Sequence, residues 1–150
     1  MRIVPAWCRL VAAAWFGLLA TIAFIAAPAA FATLERADAG RYVTYVFGVE
    51  AWTSLAMALV LLVVEQRRAR ADAQARRGSV MSGATLMLLA ILFCTLSAQF
   101  GIEPMMAAAR RGAGPWSFGA LHAASTVLYA IKALLVLAVA WRWQARAASS

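Results

Sequence analysis

The sequence has few charged side chains. Asp, Glu, Lys and Arg make up 13% of its 150 residues, where a soluble domain has about 25%. Hydrophobic residues make up 65%, against roughly 45–50% in soluble domains. The few charges are clustered, which leaves long stretches with none. This pattern excludes a disordered chain and argues against a soluble enzyme, a nucleic-acid-binding domain or a disulfide scaffold. An integral membrane protein remains.

Cysteine and histidine are also scarce, with two cysteines and one histidine. Cys8 precedes the first apolar run and Cys94 lies well inside the third, so we expect their Cα atoms to be more than about 7 Å apart. No disulfide and no CxxC metal or redox site is therefore predicted. Motifs of nucleotide-binding proteins, serine hydrolases and zinc proteases are absent. No repeat of about 20 to 50 residues is visible.

Four apolar runs are each long enough to cross a bilayer, which takes about 20 residues in a helix. In lipid every backbone polar group must be satisfied within the segment, so the runs are predicted to be helices. The sequence therefore predicts an all-α fold, a membrane-embedded four-helix bundle formed by a single domain, 1–150. Its spans are approximately 10–34, 42–64, 79–102 and 116–141.

The arginines predict the direction of the spans. Nine lie at the two termini and in the loop between the second and third spans, and four lie in the other two loops. The positive-inside rule then places both termini in the cytoplasm, in a bacterial inner membrane. An alternative is that the first span is a signal peptide with an A-x-A-like site at residues 30–32. Its uncharged stretch is longer than the usual ~7–15 residues, which favours an uncleaved span.

Three ionisable residues lie inside the spans and are functional candidates for that reason. Counted from Tyr42 and Trp116, Glu50 lies about 12 Å deep, His122 about 9 Å and Lys132 about 24 Å. Glu50 and His122 therefore share a depth and could pair if the second and fourth spans are neighbours. Lys132 is predicted to extend toward the inner headgroups.

Further polar residues lie in the same outer half and predict a small polar cluster that opens on the outer face. Its members are Glu50, His122, Gln99, Tyr45 and Ser125. Imidazole, carboxylate and the nearby Met105 and Met106 thioethers would suit copper, and His122 would suit a haem iron. The other interpretation is a structural cluster with no cofactor, because a lone histidine in a span usually bonds to a neighbouring helix. The second interpretation is preferred.

Small residues and a proline indicate helix contacts and a bend. Ala13 with Gly17, and Gly119 with Ala123, form small-xxx-small pairs that either mark close helix packing or arise by chance in an alanine-rich chain. Pro28 is predicted to kink the first span or to mark its end.

Three stretches together resemble a known family. They are WFGLLATIAFIAAPAAFATLERADAGR, IEPMMAAARR and FGALHAASTVLYAIKALL. Their order and spacing are similar to those of the transmembrane-protein-205-like family, small four-span proteins with a domain of unknown function. The resemblance implies four spans with the first uncleaved, and it implies no established reaction. It covers roughly residues 10–141, and the matching residues are Gly17, Pro28, Phe31, Gly40, Pro104, Phe118, His122 and Ser125. Glu50 and Lys132 are not among these motif positions.

The sequence favours a non-enzymatic membrane component that handles a small solute or a metal, or binds a partner. The alternative is a haem- or metal-dependent redox protein that uses His122. Membrane lipid is the expected partner, with a homo-oligomer or another membrane protein also possible, and nucleic acid is not expected.

Overall fold

The fold is a bundle of four long helices. The computed structural model describes residues 4–148, and this range contains helices and no strand. Each helix is long and apolar enough to cross a membrane. The prediction of an all-α, four-helix membrane fold is therefore confirmed. The helices are α1 (Ala6–Thr33), α2 (Arg36–Gln74), α3 (Gly83–Arg110) and α4 (Phe118–Ala148).

The helices extend beyond the apolar runs, most of all α2. It begins at Arg36 and continues to Gln74, whereas the apolar run covers 42–64. Its 39 residues correspond to about 58 Å, nearly twice the roughly 30 Å thickness of a hydrocarbon core. After residue 64 the sequence is polar, but it is rich in alanine, arginine and glutamine, which favour helix. The backbone hydrogen bonds of α2 therefore continue beyond the end of the apolar run.

Two helices contain a π-helical segment just before a proline. In α1 the segment is Ile22–Ala26, followed by Pro28, and in α3 it is Ser97–Ile102, followed by Pro104. A proline lacks an N–H and its ring clashes with the carbonyl four residues earlier. The wider π turn accommodates this break in the hydrogen-bond ladder. Pro28 therefore does not end α1, which continues to Thr33.

Helices that follow each other in the chain are neighbours, and α1 also contacts α4. The bundle is thus a ring in which α1 lies diagonally opposite α3, and α2 diagonally opposite α4. Most of the apolar core lies in the half of the bundle that holds both termini. Large buried side chains of this core are Trp15, Leu19, Leu61, Leu88, Ile91, Val136, Val139 and Trp143.

The two helical hairpins, α1–α2 and α3–α4, repeat the same pattern of buried positions. Most buried residues of α1 have a buried counterpart 76 positions later in α3, for example Trp15 with Ile91 and Ala30 with Met106. Pro28 and Pro104 have the same spacing. Residues of α2 and α4 that lie 82 positions apart match likewise, including Ala39 with Leu121, Ser54 with Val136, and Leu61 with Trp143.

The extra six positions of offset fall in the connection between α3 and α4, which is longer than that between α1 and α2. The chain therefore consists of two equivalent hairpins. The repeat unit is longer than the 20–50 residues for which the sequence shows no repeat. The two hairpins share their buried positions more than the residue types at those positions.

The small-residue pairs do not mark packing inside this bundle. Gly17 and Gly119 are exposed on the outside of α1 and α4. A Cβ atom built on either would meet nothing within 4 Å. Cys8 and Cys94 are buried free thiols on the diagonal helices α1 and α3.

Candidate functional site

A glutamate and a lysine meet across the centre of the bundle. The Lys132 Nζ of α4 lies 2.8 Å from both carboxylate oxygens of Glu50 on the diagonal helix α2. Only 3% of Glu50 and 4% of Lys132 is exposed. The two residues occupy equivalent positions of the two hairpins, and we refer to them as the central pair.

The position of the central pair corrects two predictions. Glu50 and Lys132 each lie 14 residues after the first residue of their helix, Arg36 and Phe118. They therefore share a depth of about 21 Å from those helix ends. The sequence estimate counted from the first residues of the predicted spans, Tyr42 and Trp116, and it placed them at different depths. Lys132 does not extend to the inner headgroups because a carboxylate faces it directly across the bundle.

Two further side chains hold the glutamate. The Ser54 hydroxyl, one turn along α2, donates to Glu50 Oε1. Trp15 of α1 donates from its indole Nε1 to the Ser54 hydroxyl oxygen at 2.9 Å. Ser54 and Trp15 are fully buried, so a hydrogen-bonded chain connects α1, α2 and α4 through Glu50.

An aromatic pair lies one helical turn from the central pair, toward the end of the bundle opposite the termini. The rings of Phe47 and Tyr129 meet edge to face with centroids 5.1 Å apart. These residues also lie 82 positions apart, so they repeat the relation of Glu50 and Lys132. The Lys132 Nζ lies 4.6 Å from the Tyr129 ring centroid, a cation–π contact. The Tyr129 hydroxyl donates to the Leu19 carbonyl at 2.9 Å, which fixes the ring.

This arrangement can hold a charged or hydrogen-bonding group within the membrane. A buried ion pair gains little net stability over apolar residues of the same volume, because both charges lose their hydration. Ionisable residues inside membrane helices accordingly mark ion pathways, proton relays and binding sites. Within residues 4–148, no three His, Cys, Asp or Glu side chains are grouped to hold a metal ion.

His122 is far from the central pair. It precedes Lys132 by ten residues on α4, about 15 Å along the helix, so it cannot reach the carboxylate of Glu50. Its ring is exposed and stacks on Phe118, with centroids 5.8 Å apart. The suggested Glu50–His122 pair is therefore wrong, because Lys132 occupies the position opposite Glu50. A role of His122 as a metal or haem ligand stays a prediction.

The other residues of the predicted polar cluster are more exposed than the central pair. Tyr45 is 72% exposed, and Gln99 and Ser125 are half-buried on α3 and α4. The hydrogen-bond partners of Glu50 are Ser54 and Lys132, so the structure does not join these three residues to it. The resemblance positions Gly17, Pro28, Phe31, Pro104 and Phe118 are exposed as well, and Gly40 is half-buried.

A second buried charge cluster was missed in the sequence. Arg68, near the end of α2, contacts Glu65 through Nε at 2.9 Å and Nη2 at 2.6 Å, and Asp72 through Nη1 at 2.8 Å. All three residues are buried. Ser82 donates from its hydroxyl to Glu65 and accepts from the Thr85 N–H at the start of α3. Spacings of three and four residues on one helix face are the signal that could have shown this cluster.

The comparisons with known proteins give a family but no activity. Residues 10–115 match a family model described as Domain of unknown function (DUF4149). The chain belongs to this family. The matched DUF4149 region contains α1 from Leu10 onward, α2 with Glu50, and α3, and it ends before α4, which carries Lys132 and His122. No curated protein and no solved structure matches the chain.

Proposed function

We propose that this chain is a non-enzymatic, multi-pass membrane protein that binds a small charged solute, or a proton, at the central pair. The observation that carries the proposal is the ion pair between Glu50 and Lys132 across the centre of the bundle. The ammonium would bind an anionic group of the solute and the carboxylate a cationic group or a proton.

The relation of the two hairpins supports this proposal. Membrane carriers commonly contain repeats, with the solute site at the repeat interface and with helices interrupted at corresponding positions of the two halves. Here the central pair lies where the hairpins meet, and Pro28 and Pro104 follow π segments at corresponding positions of α1 and α3.

Packing indicates the side from which a solute would approach. The apolar core fills the half of the bundle that holds the termini. A solute could therefore not reach the central pair from that side. On the other side the Phe47–Tyr129 pair is the first layer, and both side chains are half-buried. A solute would therefore reach Lys132 and Glu50 by displacing these two rings.

The orientation in the membrane belongs to the same proposal. The greater number of arginines beside the termini and the second loop supports cytoplasmic termini and a bacterial cytoplasmic membrane. The solute would then approach from the outer face. The three stretches that begin at Trp15, Ile102 and Phe118 support a relation to the transmembrane-protein-205-like family within the broader DUF4149 family.

A stability screen tests the proposal. The purified chain in detergent is heated with small zwitterions, carboxylic acids and amines, each alone, and unfolding is followed by tryptophan fluorescence. A ligand that binds only the folded state raises the free energy of unfolding by about 2.7 kcal/mol at a concentration of 100 Kd. The matched control is the double variant Glu50→Gln, Lys132→Met, which keeps the volume of both side chains.

The proposal predicts that at least one solute class stabilises the original chain and leaves the double variant unchanged. Equal stabilisation of both proteins would place the solute elsewhere. If no class stabilises the chain, proton binding is tested by the pH dependence of tryptophan fluorescence in the original chain, compared with that of the double variant. A chain that responds neither to any solute nor to pH would make the central pair structural and overturn the proposal.

A further inference from the structure

An open cationic groove lies between α2 and α3 at the end of the bundle opposite the termini. It has a volume of about 570 Å³ and lies outside the central pair. Two α2 arginines and the last residue of α3 contribute its guanidinium groups. The lining residues that matter are Arg36, Gly40, Arg41, Thr44, Tyr45 and Arg110.

The charge of the groove favours an anion. Three guanidinium groups line it, and no carboxylate does. Two acidic residues stand at its edge, where Asp38 pairs with Arg41 and Glu103 lies 3.5 Å from Arg110. Arg110 is otherwise held by neutral groups, the Thr44 hydroxyl at 3.4 Å and the Phe118 ring at 5.1 Å. A guanidinium group matches the geometry of a phosphate through paired N–H donors.

An apolar strip continues from the groove along the outside of the bundle. Tyr45, Val49 and Trp52 are at least half exposed on α2, and their spacing places them on one helix face. The Trp52 ring meets the exposed Phe100 ring of α3 edge to face at 5.7 Å. The strip therefore follows the same α2–α3 seam that begins in the arginine groove.

A cationic groove above an apolar strip is complementary to an amphiphile. We infer that the groove binds the phosphate of an anionic phospholipid, whose acyl chain lies along Val49, Trp52 and Phe100. Basic pockets between membrane helices bind anionic lipid headgroups by the same chemistry. Free phosphate shares the headgroup chemistry but has no chain to fill the strip. The inference is independent of a solute site at the central pair.

Native mass spectrometry of the full chain in detergent tests the inference with three probes: phosphatidylglycerol, phosphatidylcholine and inorganic phosphate. Phosphatidylglycerol is expected to bind best, because its phosphate charge is not offset by a choline group. Inorganic phosphate is expected to compete only at far higher concentration. Equal binding of the two lipids, or displacement of lipid by equimolar phosphate, would overturn the inference.

Two kinds of variant locate the site. Arg41→Gln and Arg110→Gln each remove a guanidinium group and should weaken phosphatidylglycerol binding about tenfold. Arg111→Gln is the matched control, since Arg111 is exposed beside Arg110 and does not line the groove.

Gly40→Leu blocks the groove without a change of charge. A Cβ at Gly40 meets nothing within 4 Å, and leucine favours helix over glycine, so this variant should fold. It should lose lipid binding, while Gly17→Leu, at an equally open position on α1, should retain it. Unchanged binding in Gly40→Leu and both groove arginine variants would contradict the site.

Discussion

At the scale of residues, the central pair depends on complete partnering. Glu50 accepts from Lys132 and Ser54, and Ser54 accepts from Trp15. In a low-dielectric interior a polar group that loses its partner carries the full cost of desolvation. Removing one charge is therefore far more harmful than removing both.

The first prediction concerns this difference. Glu50→Gln and Lys132→Met should each lower the free energy of unfolding by about 3–5 kcal/mol, because each leaves one buried charge without its counter-charge. The double variant should recover most of that loss, since it leaves no charge uncompensated. Unfolding by SDS in mixed micelles measures all three. The prediction would be contradicted if the double variant lost as much free energy of unfolding as the two single variants lose together.

Sequence reasoning found the members of the central pair but not their relation. Charge within an apolar run singles out Glu50 and Lys132 directly. Their pairing depends on where α2 and α4 begin, and hydropathy places those starts at Tyr42 and Trp116 instead of Arg36 and Phe118. Whether His122 and Tyr45 are exposed depends on how their helices are rotated about their own axes. Alanine-rich helix faces give too little contrast in hydropathy to predict that rotation.

At the scale of elements, the Arg68 cluster fixes the end of the longest helix. Arg68 joins Glu65 to Asp72 along α2, and Ser82 connects Glu65 to the first turn of α3. The hydrogen bond from Thr85 N–H to the Ser82 hydroxyl is an N-terminal cap, an interaction worth about 0.5–2 kcal/mol. The cluster therefore sets how α2 passes into α3.

The second prediction is that Arg68→Met destabilises the chain by about 3–5 kcal/mol, since the buried Glu65 and Asp72 carboxylates lose the guanidinium group that is hydrogen-bonded to both. Arg67→Met is the control. Arg67 is exposed, and an exposed substitution changes stability by no more than about 0.5 kcal/mol. Denaturation in mixed micelles compares the two variants, and equal stability would show that the cluster contributes nothing.

The cluster also shows a limit of sequence reading at this scale. The positive-inside rule treats the arginines after residue 64 as loop charges. In the structure this segment is still α2, and Arg68 faces inward with 7% exposure. Arginines that orient the chain in the membrane and an arginine that stabilises the fold thus occur in one segment. Only the packing of the helices distinguishes the buried Arg68 from the exposed Arg67.

At the scale of the whole molecule, the fold follows from a few strong constraints. Four apolar runs and backbone hydrogen bonding in lipid predict four helices, as the structure has them. The equivalence of the two hairpins lies in which positions are buried, for example Trp15 with Ile91 and Leu61 with Trp143. These pairs share burial but not residue type, so sequence comparison alone does not reveal them.

The third prediction concerns orientation. A reporter fused at Gly78, between the two hairpins, should report cytoplasm, and one at Gly112, between α3 and α4, should report the exterior. The reason is the excess of arginine beside the termini and the second loop. Paired enzyme reporters active on opposite sides of the membrane measure this. The reverse pattern would reject the orientation, and both fusions on one side would reject four crossings.

The charges of the central pair affect which of the two hairpins, α1–α2 and α3–α4, can associate with each other. Because Glu50 and Lys132 occupy equivalent positions, two copies of the first hairpin placed as the two halves are placed would bring carboxylate against carboxylate. Two copies of the second would bring ammonium against ammonium. Like charges repel strongly where water is excluded. Opposite charge at these two positions therefore favours pairing of each hairpin with the other over pairing with a copy of itself, in addition to the different side chains that pack around them.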